Sequence, residues 1–187
     1  MDPLREQLAR RREANTKALA ALGGAPVQAS PAGHMRTIRE GAHATVFTVG
    51  YERRTPEDLI ATLRDAGVEV LADVREKPIS RRACFRAEAL RALCEEAGIV
   101  YQSWPRLGST DAQRESLRRS GDIAAFQERF RAYAEAHLLS EIRKLADEVR
   151  RKPVALLCYE RSHEDCHRMI IAELIADTAE AGIVAIL

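Results

Sequence analysis

Thiol, imidazole and carboxylate side chains are concentrated in one short stretch of this sequence, from Cys158 to Arg168. An apolar run at 154–157 precedes the stretch, and an apolar helical pattern begins near Met169. Cys166 is therefore predicted to lie at a helix N-terminus, where unpaired backbone N–H groups and the helix dipole stabilise an anion. A thiolate in such a position has a lowered pKa and is nucleophilic near neutral pH. The pattern thus predicts thiol chemistry at Cys166.

The neighbours of Cys166 supply the other groups that a nucleophilic thiol requires. His167 or Glu160 would transfer protons, since each lies within a few residues of the thiol. Arg168 would bind an anionic substrate. Cys158 admits three interpretations: a resolving thiol that also takes part in catalysis, a metal ligand, or a small buried core residue.

The same stretch contains four residues of the types that bind zinc, namely Cys158, His163, Cys166 and His167. Their spacing does not favour a metal, because the paired C-x-x-C arrangement is missing. The adjacent residues Cys166 and His167 would also project in different directions from a helix. We therefore predict no resident metal or other cofactor and keep a zinc site as an alternative.

A second group of polar residues follows Asp73 and Arg75. Five cations fall within twelve residues there: Arg75, Lys77, Arg81, Arg82 and Arg86. A planar guanidinium group binds phosphate or carboxylate through two hydrogen bonds, so this loop is predicted to bind an anion through Arg75, Ser80 and Arg81. A merely solvated basic loop is the alternative. Asp73 would either hold Arg75 in one rotamer or serve as a general base.

Both groups must be positioned by the elements around them, and these alternate between strand and helix patterns. Three times an acidic residue, Ala and Gly precede an apolar run, a pattern typical of a helix end followed by a buried strand. The predicted strands cover 45–49, 68–74, 99–102, 154–158 and 183–187. The predicted helices cover 56–66, 87–97, 111–119, 122–149 (with a break left open) and 166–180. The fold class is therefore α/β, with a mostly parallel central sheet of about five strands and helices on both faces.

Polar residues follow the predicted strands at four places. The first strand ends at Gly50 and Tyr51, the second at Asp73, the third near Trp104 and the fourth at Cys158. Ligands of parallel sheets bind beyond the carboxyl ends of the strands, so these groups should meet at one edge. Gly50 and Tyr51 thereby join the predicted substrate-binding residues.

Composition limits the class of protein. The 187 residues carry 29 Lys plus Arg against 28 Asp plus Glu, so no global charge attracts nucleic acid or membranes. No apolar run is long enough to span a bilayer, and the first residues lack the apolar core of a secretory signal. Four cysteines are too few for a disulfide scaffold, and Cys94 lies on an apolar helical stripe. We expect a cytoplasmic protein with free thiols and no membrane partner.

The chain divides by composition near residue 44. Residues 3–22 carry a weakly amphipathic helical pattern, and 23–44 are rich in Gly, Ala, Pro and Ser. Residues 1–44 are therefore predicted to be a helical arm with a flexible linker, and 45–187 a single α/β domain. The arm has three interpretations: a solvated helix, a disordered segment, or a docking helix that would form a homodimer.

Four ordered motifs in residues 45–187 resemble those of the uncharacterised "domain of unknown function 488" family. The first is the turn Gly50-Tyr51-Glu52-Arg53-Arg54-Thr55, and the second runs from Asp73-Val74-Arg75 through Pro78, Ser80 and Arg81. The third is Tyr101 with the pair Leu107-Gly108, where the chain lacks the proline of the family's L-G-[TI]-P subgroup. The last comprises Cys158, Glu160, Cys166, His167 and Arg168.

The resemblance implies an α/β fold with a single cleft that brings Asp73, Arg75 and the Cys158–Arg168 residues together. It does not supply a reaction. The D-V-R strand end is also similar to that of rhodanese-like sulfurtransferases, although the eleven residues from Cys158 to Arg168 do not match the rhodanese loop.

Three functional hypotheses follow. The first is a small enzyme, a thiol-dependent transferase or hydrolase, acting on a phosphate-bearing nucleotide or nucleic-acid end. The second is a non-catalytic module that binds a nucleotide or nucleic acid, with a phosphate track formed by Arg114, Arg118, Arg119, Arg129 and Arg131. The third is a zinc site in the Cys/His loop.

Overall fold

The computed structural model describes residues 35–41 and 43–187. The helix expected over 3–22 and the first part of the expected linker lie outside the described residues. Within the described part of the chain, no helix is long and apolar enough to cross a bilayer.

Among residues 35–41 and 43–187, six strands form one sheet in the order β1-β6-β2-β5-β3-β4. The strands are β1 (Met35–Arg39), β2 (Thr45–Gly50), β3 (Val70–Asp73), β4 (Val100–Ser103), β5 (Val154–Cys158) and β6 (Gly182–Ile186). Strands β2 to β6 pair in parallel, and only β1 is antiparallel to its neighbour. The predicted α/β class and mostly parallel sheet are confirmed, with the five predicted strands each recognisable.

Strand β1 corrects the expectation that residues up to 44 form a linker. It pairs with the last strand, β6, with Met35 opposite Ile186 and Arg39 opposite Ile183. As an edge strand it is covered on one side only, and its residues are exposed or half-buried. An edge strand needs no continuous apolar run, so the sequence of β1 lacks the signal that revealed the buried strands β2, β3, β5 and β6.

Six α-helices connect the strands in the described part of the chain. They are α1 (Pro56–Asp65), α2 (Ala87–Glu96), α3 (Asp111–Ser120), α4 (Ile123–His137), α5 (Leu139–Arg151) and α6 (His167–Ala179). The predicted start of α1 is confirmed, because the Thr55 side chain accepts a hydrogen bond from the Asp58 backbone N–H and Pro56 occupies the first helical position. The helix expected over 122–149 is divided into α4 and α5 at Leu138.

Two apolar cores lie on opposite faces of the sheet. Helices α4, α5 and α6 cover one face, with buried residues such as Phe130, Ile142 and Ile171. Helices α1 and α2 cover the other, with Leu59 and Leu90. Successive strand residues alternate between the two cores. In β5, for example, 154 and 156 belong to the first core and 155 and 157 to the second, so Cys158 falls on the α6 face.

Candidate active site

The carboxyl ends of three central strands lie side by side, as the sequence predicted. In the parallel register, Gly50 of β2 is opposite Cys158 of β5, and Asp73 of β3 is opposite Leu157. Beyond the strands the two loops remain paired, because Glu52 N–H donates to the Tyr159 carbonyl at 2.9 Å. The predicted polar strand ends therefore share one edge of the sheet.

Gly50 allows the two loops to approach each other. A Cβ atom at this position would lie 1.8 Å from the Glu160 carbonyl oxygen, closer than any side chain tolerates. The sequence predicted Gly50 as a substrate-binding residue, and the structure gives it a packing role. Its missing side chain lets the loop that carries Glu160 lie directly against β2.

Two thiols and one imidazole form a buried cluster at this edge. The Sγ atoms of Cys158 and Cys166 and the Nδ1 atom of His167 all lie within 4.8 Å of one another. Nδ1 is 3.9 Å from Cys158 Sγ and 3.7 Å from Cys166 Sγ. Glu160 completes the cluster, since Cys158 Sγ donates to its Oε2 atom at 3.1 Å. The structure thus brings together four of the residues predicted to be catalytic.

The orientation of His167 is fixed by the strand beside it. Its Nε2 atom lies 3.1 Å from the backbone carbonyl oxygen of Val74, which can only accept a hydrogen bond. Nε2 therefore carries a proton, and in the neutral ring the Nδ1 lone pair faces the two thiols. Phe130 packs edge-on against the ring with a centroid distance of 5.3 Å. His167 is thus positioned to take a proton from a thiol.

The electrostatic environment makes Cys166 the acidic thiol. Burial by itself raises the pKa of Cys166, but the neighbouring thiol Cys158 and the positive charges of His167 and Arg168 outweigh burial and hold the pKa well below its ordinary value. Burial lowers the pKa of His167, but the negative charge of Cys166 and the hydrogen bonds to Cys166 and Val74 together outweigh burial and raise the pKa. The two residues therefore favour a thiolate–imidazolium pair.

The pKa values of Cys158 and Glu160 shift upward, opposite to that of Cys166. The pKa of Cys158 is raised well above its ordinary value by its interaction with Cys166, by burial and by the negative charge of Cys166. The pKa of Glu160 is also raised, first by burial and then by the Cys166 charge. The cluster therefore favours loss of the proton from Cys166, whereas Cys158 retains its proton and donates it to the Glu160 carboxylate.

Arg168 lies beneath the cluster with 1% of its surface exposed. Nη1 donates to the Glu160 carbonyl at 2.6 Å and Nη2 to the Arg161 carbonyl at 3.1 Å. Its Nε atom is buried without a hydrogen-bond partner among the described residues. Arg168 was predicted to bind substrate; in the structure it holds the loop after β5 and adds positive charge beside the thiols.

The second predicted group lies on the opposite face of the sheet. Asp73 is fully buried and binds Arg75 through two hydrogen bonds, Nε to Oδ1 at 2.8 Å and Nη2 to Oδ2 at 2.5 Å. Arg75 Nη1 donates to the Tyr51 hydroxyl and to the Phe85 carbonyl. Asp73 therefore holds Arg75 in one rotamer, and each of the three Arg75 nitrogens already donates to an acceptor within the chain. The sheet separates this network from the thiols.

Aromatic residues enclose that network. Tyr51 stacks on Phe85 with a centroid distance of 4.5 Å, and the Arg82 guanidinium lies 4.3 Å from the centre of the Phe85 ring. Tyr101 Oη donates to Asp73 Oδ2 at 2.7 Å. Of the remaining predicted anion-binding residues, Ser80 is half-buried and Arg81 is exposed. Arg81 is thus the predicted anion-binding arginine that faces solvent.

The predicted zinc ligands are only partly brought together. Cys158, Cys166 and His167 could bind a soft divalent cation through Sγ and Nδ1. His163, the fourth predicted ligand, does not belong to this group, and its Nε2 atom lies 3.9 Å from Glu164 instead. Arg168 places a further positive charge beside the thiols, which opposes a dication.

The predicted phosphate track is largely neutralised. Arg114 forms ion pairs with Glu76 and Asp111, and Arg118 pairs with Glu115. Arg131 pairs with Glu173 across to α6. These cations are therefore paired with acidic side chains and do not form a row of free positive charges.

A surface cleft of about 480 Å³ adjoins the thiol cluster through Glu160. Its charged lining residues are three arginines and four acids: Arg36, Arg53, Arg161, Glu52, Glu160, Glu164 and Asp165. Glu160 also contacts Cys158 Sγ, so the cleft and the thiol cluster share this residue, although the two buried thiols do not line the cleft. Ligand binding in it would depend on individual guanidinium groups, since the lining has no net positive charge.

Sequence reasoning missed three contributors to the site. The Val74 carbonyl orients His167, and backbone groups leave no side-chain signal in a sequence. Tyr101 supports Asp73, although it was noted only as a motif residue. Arg54 is buried and donates through Nε to the Gly50 carbonyl at 3.1 Å. Its position next to the Gly50-Tyr51 turn was the only available signal.

Comparison with known proteins gives one match. The family model described as "Domain of unknown function DUF488" matches residues 55–175, about two thirds of the chain. This range includes the Asp73 and Arg75 pair and all four residues of the thiol cluster. No curated protein and no solved structure matches the chain.

Proposed function

Since this chain belongs to the DUF488 family, whose description assigns no reaction, we propose its function from the site itself: a thiol-dependent transferase or hydrolase with Cys166 as the nucleophile. The observation that carries this proposal is the contact of Cys166 Sγ with His167 Nδ1 at 3.7 Å, at the first turn of α6. The lowered pKa of Cys166 agrees with that geometry.

The reaction begins with a proton transfer within the cluster. Cys166 gives its proton to His167 Nδ1, while Nε2–H remains on the Val74 carbonyl. The thiolate then attacks an electrophilic atom of the substrate, and the leaving group departs with the electrons of the broken bond and takes the proton from Nδ1. Water or a second acceptor cleaves the bond between sulfur and the transferred group, giving its proton back to His167.

We propose a small, phosphate-bearing substrate such as a nucleotide. The available anion-binding groups are Arg53 and Arg161 of the cleft and the exposed Arg81. Arg36 pairs with Glu164, and Arg75 and Arg168 already donate within the chain. A small molecule suits the cleft better than a long nucleic acid, since four of the five arginines that would follow a phosphate backbone are ion-paired.

The first experiment is the pH dependence of alkylation by iodoacetamide, resolved by peptide mass spectrometry, with a metal assay on the same sample. Arg161 separates the two thiols of the cluster into different tryptic peptides. Cys166 should react with a midpoint well below the roughly 8.5 of a free thiol. Cys94 is the internal control, because burial raises its pKa to about 12.

Two outcomes would overturn the proposal. A Cys166 that reacts only at alkaline pH in metal-free protein leaves no nucleophile and favours a binding module. Stoichiometric zinc that blocks the reaction until it is chelated favours a metal site.

A matched pair of variants extends the test to turnover of phosphorylated small molecules. Cys166→Ala should abolish turnover, and Cys84→Ala should retain it.

A further inference from the structure

We propose that Cys158 and Cys166 form a reversible dithiol–disulfide couple that exchanges with the disulfides of small thiols. The inference rests on the proposed nucleophile Cys166 and adds a second role, that of Cys158 as the resolving thiol. It gives the chain a redox activity that a single nucleophilic cysteine would not have.

The two sulfur atoms are close but belong to different elements. Cys158 ends β5 and Cys166 immediately precedes α6, and their Sγ atoms lie within 4.8 Å of each other. Forming a bond of about 2 Å requires them to approach further. The connecting residues 159–165 form neither helix nor strand, and four of the seven are exposed. Since Cys166 lies outside the sheet at the end of this loop, the approach requires a shift at the Cys166 end while β5 stays in place.

Thiol–disulfide exchange requires a proton donor for the departing thiolate and a base for the resolving thiol, and the two cysteines have different neighbours for these roles. Cys166 faces His167 Nδ1, which holds a proton for a departing thiolate. Cys158 donates to Glu160 Oε2 at 3.1 Å, so a carboxylate is in place to remove its proton. The raised pKa of Glu160 makes it a stronger base than an exposed carboxylate. Each thiol thus has its own proton-transfer partner.

The exchange proceeds through two successive attacks by sulfur. The Cys166 thiolate attacks one sulfur of a disulfide RSSR, the S–S bond breaks, and the departing RS⁻ takes the proton from His167. Cys158 then loses its proton to Glu160 and attacks Cys166 Sγ, which releases the second RS⁻ with the proton from Glu160. Two protein thiols are oxidised to one disulfide, and RSSR is reduced to two RSH.

The other two cysteines provide internal references. Cys94 is fully buried in α2 on the opposite face of the sheet. Cys84 is half-buried in the arginine loop. Since neither belongs to the Cys158, Cys166 and His167 group, neither is expected to pair.

The experiment treats the protein with bis(2-hydroxyethyl) disulfide, a small neutral oxidant suited to buried thiols. Tryptic digestion under non-reducing conditions should yield the peptides of Cys158 and Cys166 joined, with the loss of two hydrogens and reversal by dithiothreitol. Cys84 is the control for the extent of oxidation, because this half-buried cysteine should form a mixed disulfide with the reagent. If Cys84 is modified and the Cys158–Cys166 link is not found, the couple does not exist.

Variants separate the two steps. In Cys158→Ser, Cys166 should keep the mixed disulfide; in Glu160→Gln, the second step should slow by about 10²-fold. A Cys158→Ser protein whose Cys166 stays unmodified overturns the assigned order of attack. Failure of the couple is distinguishable from failure of the nucleophile, because alkylation of Cys166 at low pH tests the nucleophile without Cys158.

Discussion

His167 Nε2 lies 3.1 Å from the carbonyl oxygen of Val74, a residue 93 positions earlier in the chain. This hydrogen bond joins the first turn of α6 to the end of β3. It lies at the edge of the sheet that has the thiol cluster on one face and the Asp73–Arg75 network on the other. It determines which ring nitrogen faces the thiols. The acidity of Cys166 therefore depends on a backbone atom of a distant strand.

The first prediction concerns that imidazole. His167→Gln removes the positive charge beside Cys166, so the pKa of Cys166 should rise and its alkylation midpoint should move to higher pH. His163→Gln is the matched control, because it replaces a buried histidine of the same loop region outside the cluster. An unchanged midpoint in His167→Gln would show that His167 does not ionise the thiol.

The second prediction concerns Gly50. Gly50→Ala places a Cβ atom against the Glu160 carbonyl, which must shift, and we expect a loss of about 3 kcal/mol in the free energy of unfolding. Gly121→Ala is the control, because this glycine has φ of 66° but open space around its Cβ position, and about 1 kcal/mol is expected. Urea denaturation measures both. Equal losses would contradict the packing role of Gly50.

The third prediction concerns the buried ion pair. Arg75→Met leaves Asp73 as an unpaired charge in the core and should cost about 3–5 kcal/mol of unfolding free energy. Arg118→Met removes a partner of the exposed Glu115 and should cost less than about 1 kcal/mol. The same denaturation experiment compares them. An Arg75→Met protein as stable as Arg118→Met would argue for a pair that serves binding more than folding.

The fourth prediction concerns stability against pH. Burial lowers the pKa of His163 in the folded protein, so the unfolded chain binds the proton more readily. Its contribution to stability is complete above the ordinary histidine pKa near 6.5 and declines as the pH falls from there through the lowered folded pKa. His163→Gln should therefore lose less stability than the wild type on acidification. Thermal denaturation at pH 7 and pH 5 measures this difference, and identical losses would contradict it.

Much of the fold could be predicted from the sequence because it depends on local patterns. Strands β2, β3, β5 and β6 are buried and mostly apolar, and helix α1 begins at its predicted cap. Strand β1 was missed for the corresponding reason: an edge strand with residues such as Arg36 and Arg39 lacks an apolar run. It became part of the sheet only through pairing with β6 at the other end of the chain.

The sequence by itself determined which residues gather at the functional edge, since parallel strands bring their carboxyl ends together whatever their order. Only the tertiary structure decided on which face each side chain lies. It placed Cys158 with α6 and Asp73 with α1 and α2, although one cleft had been expected to hold both. The physical reason is that strands buried on both faces are apolar throughout. Their sequence therefore shows no alternation from which a face could be assigned.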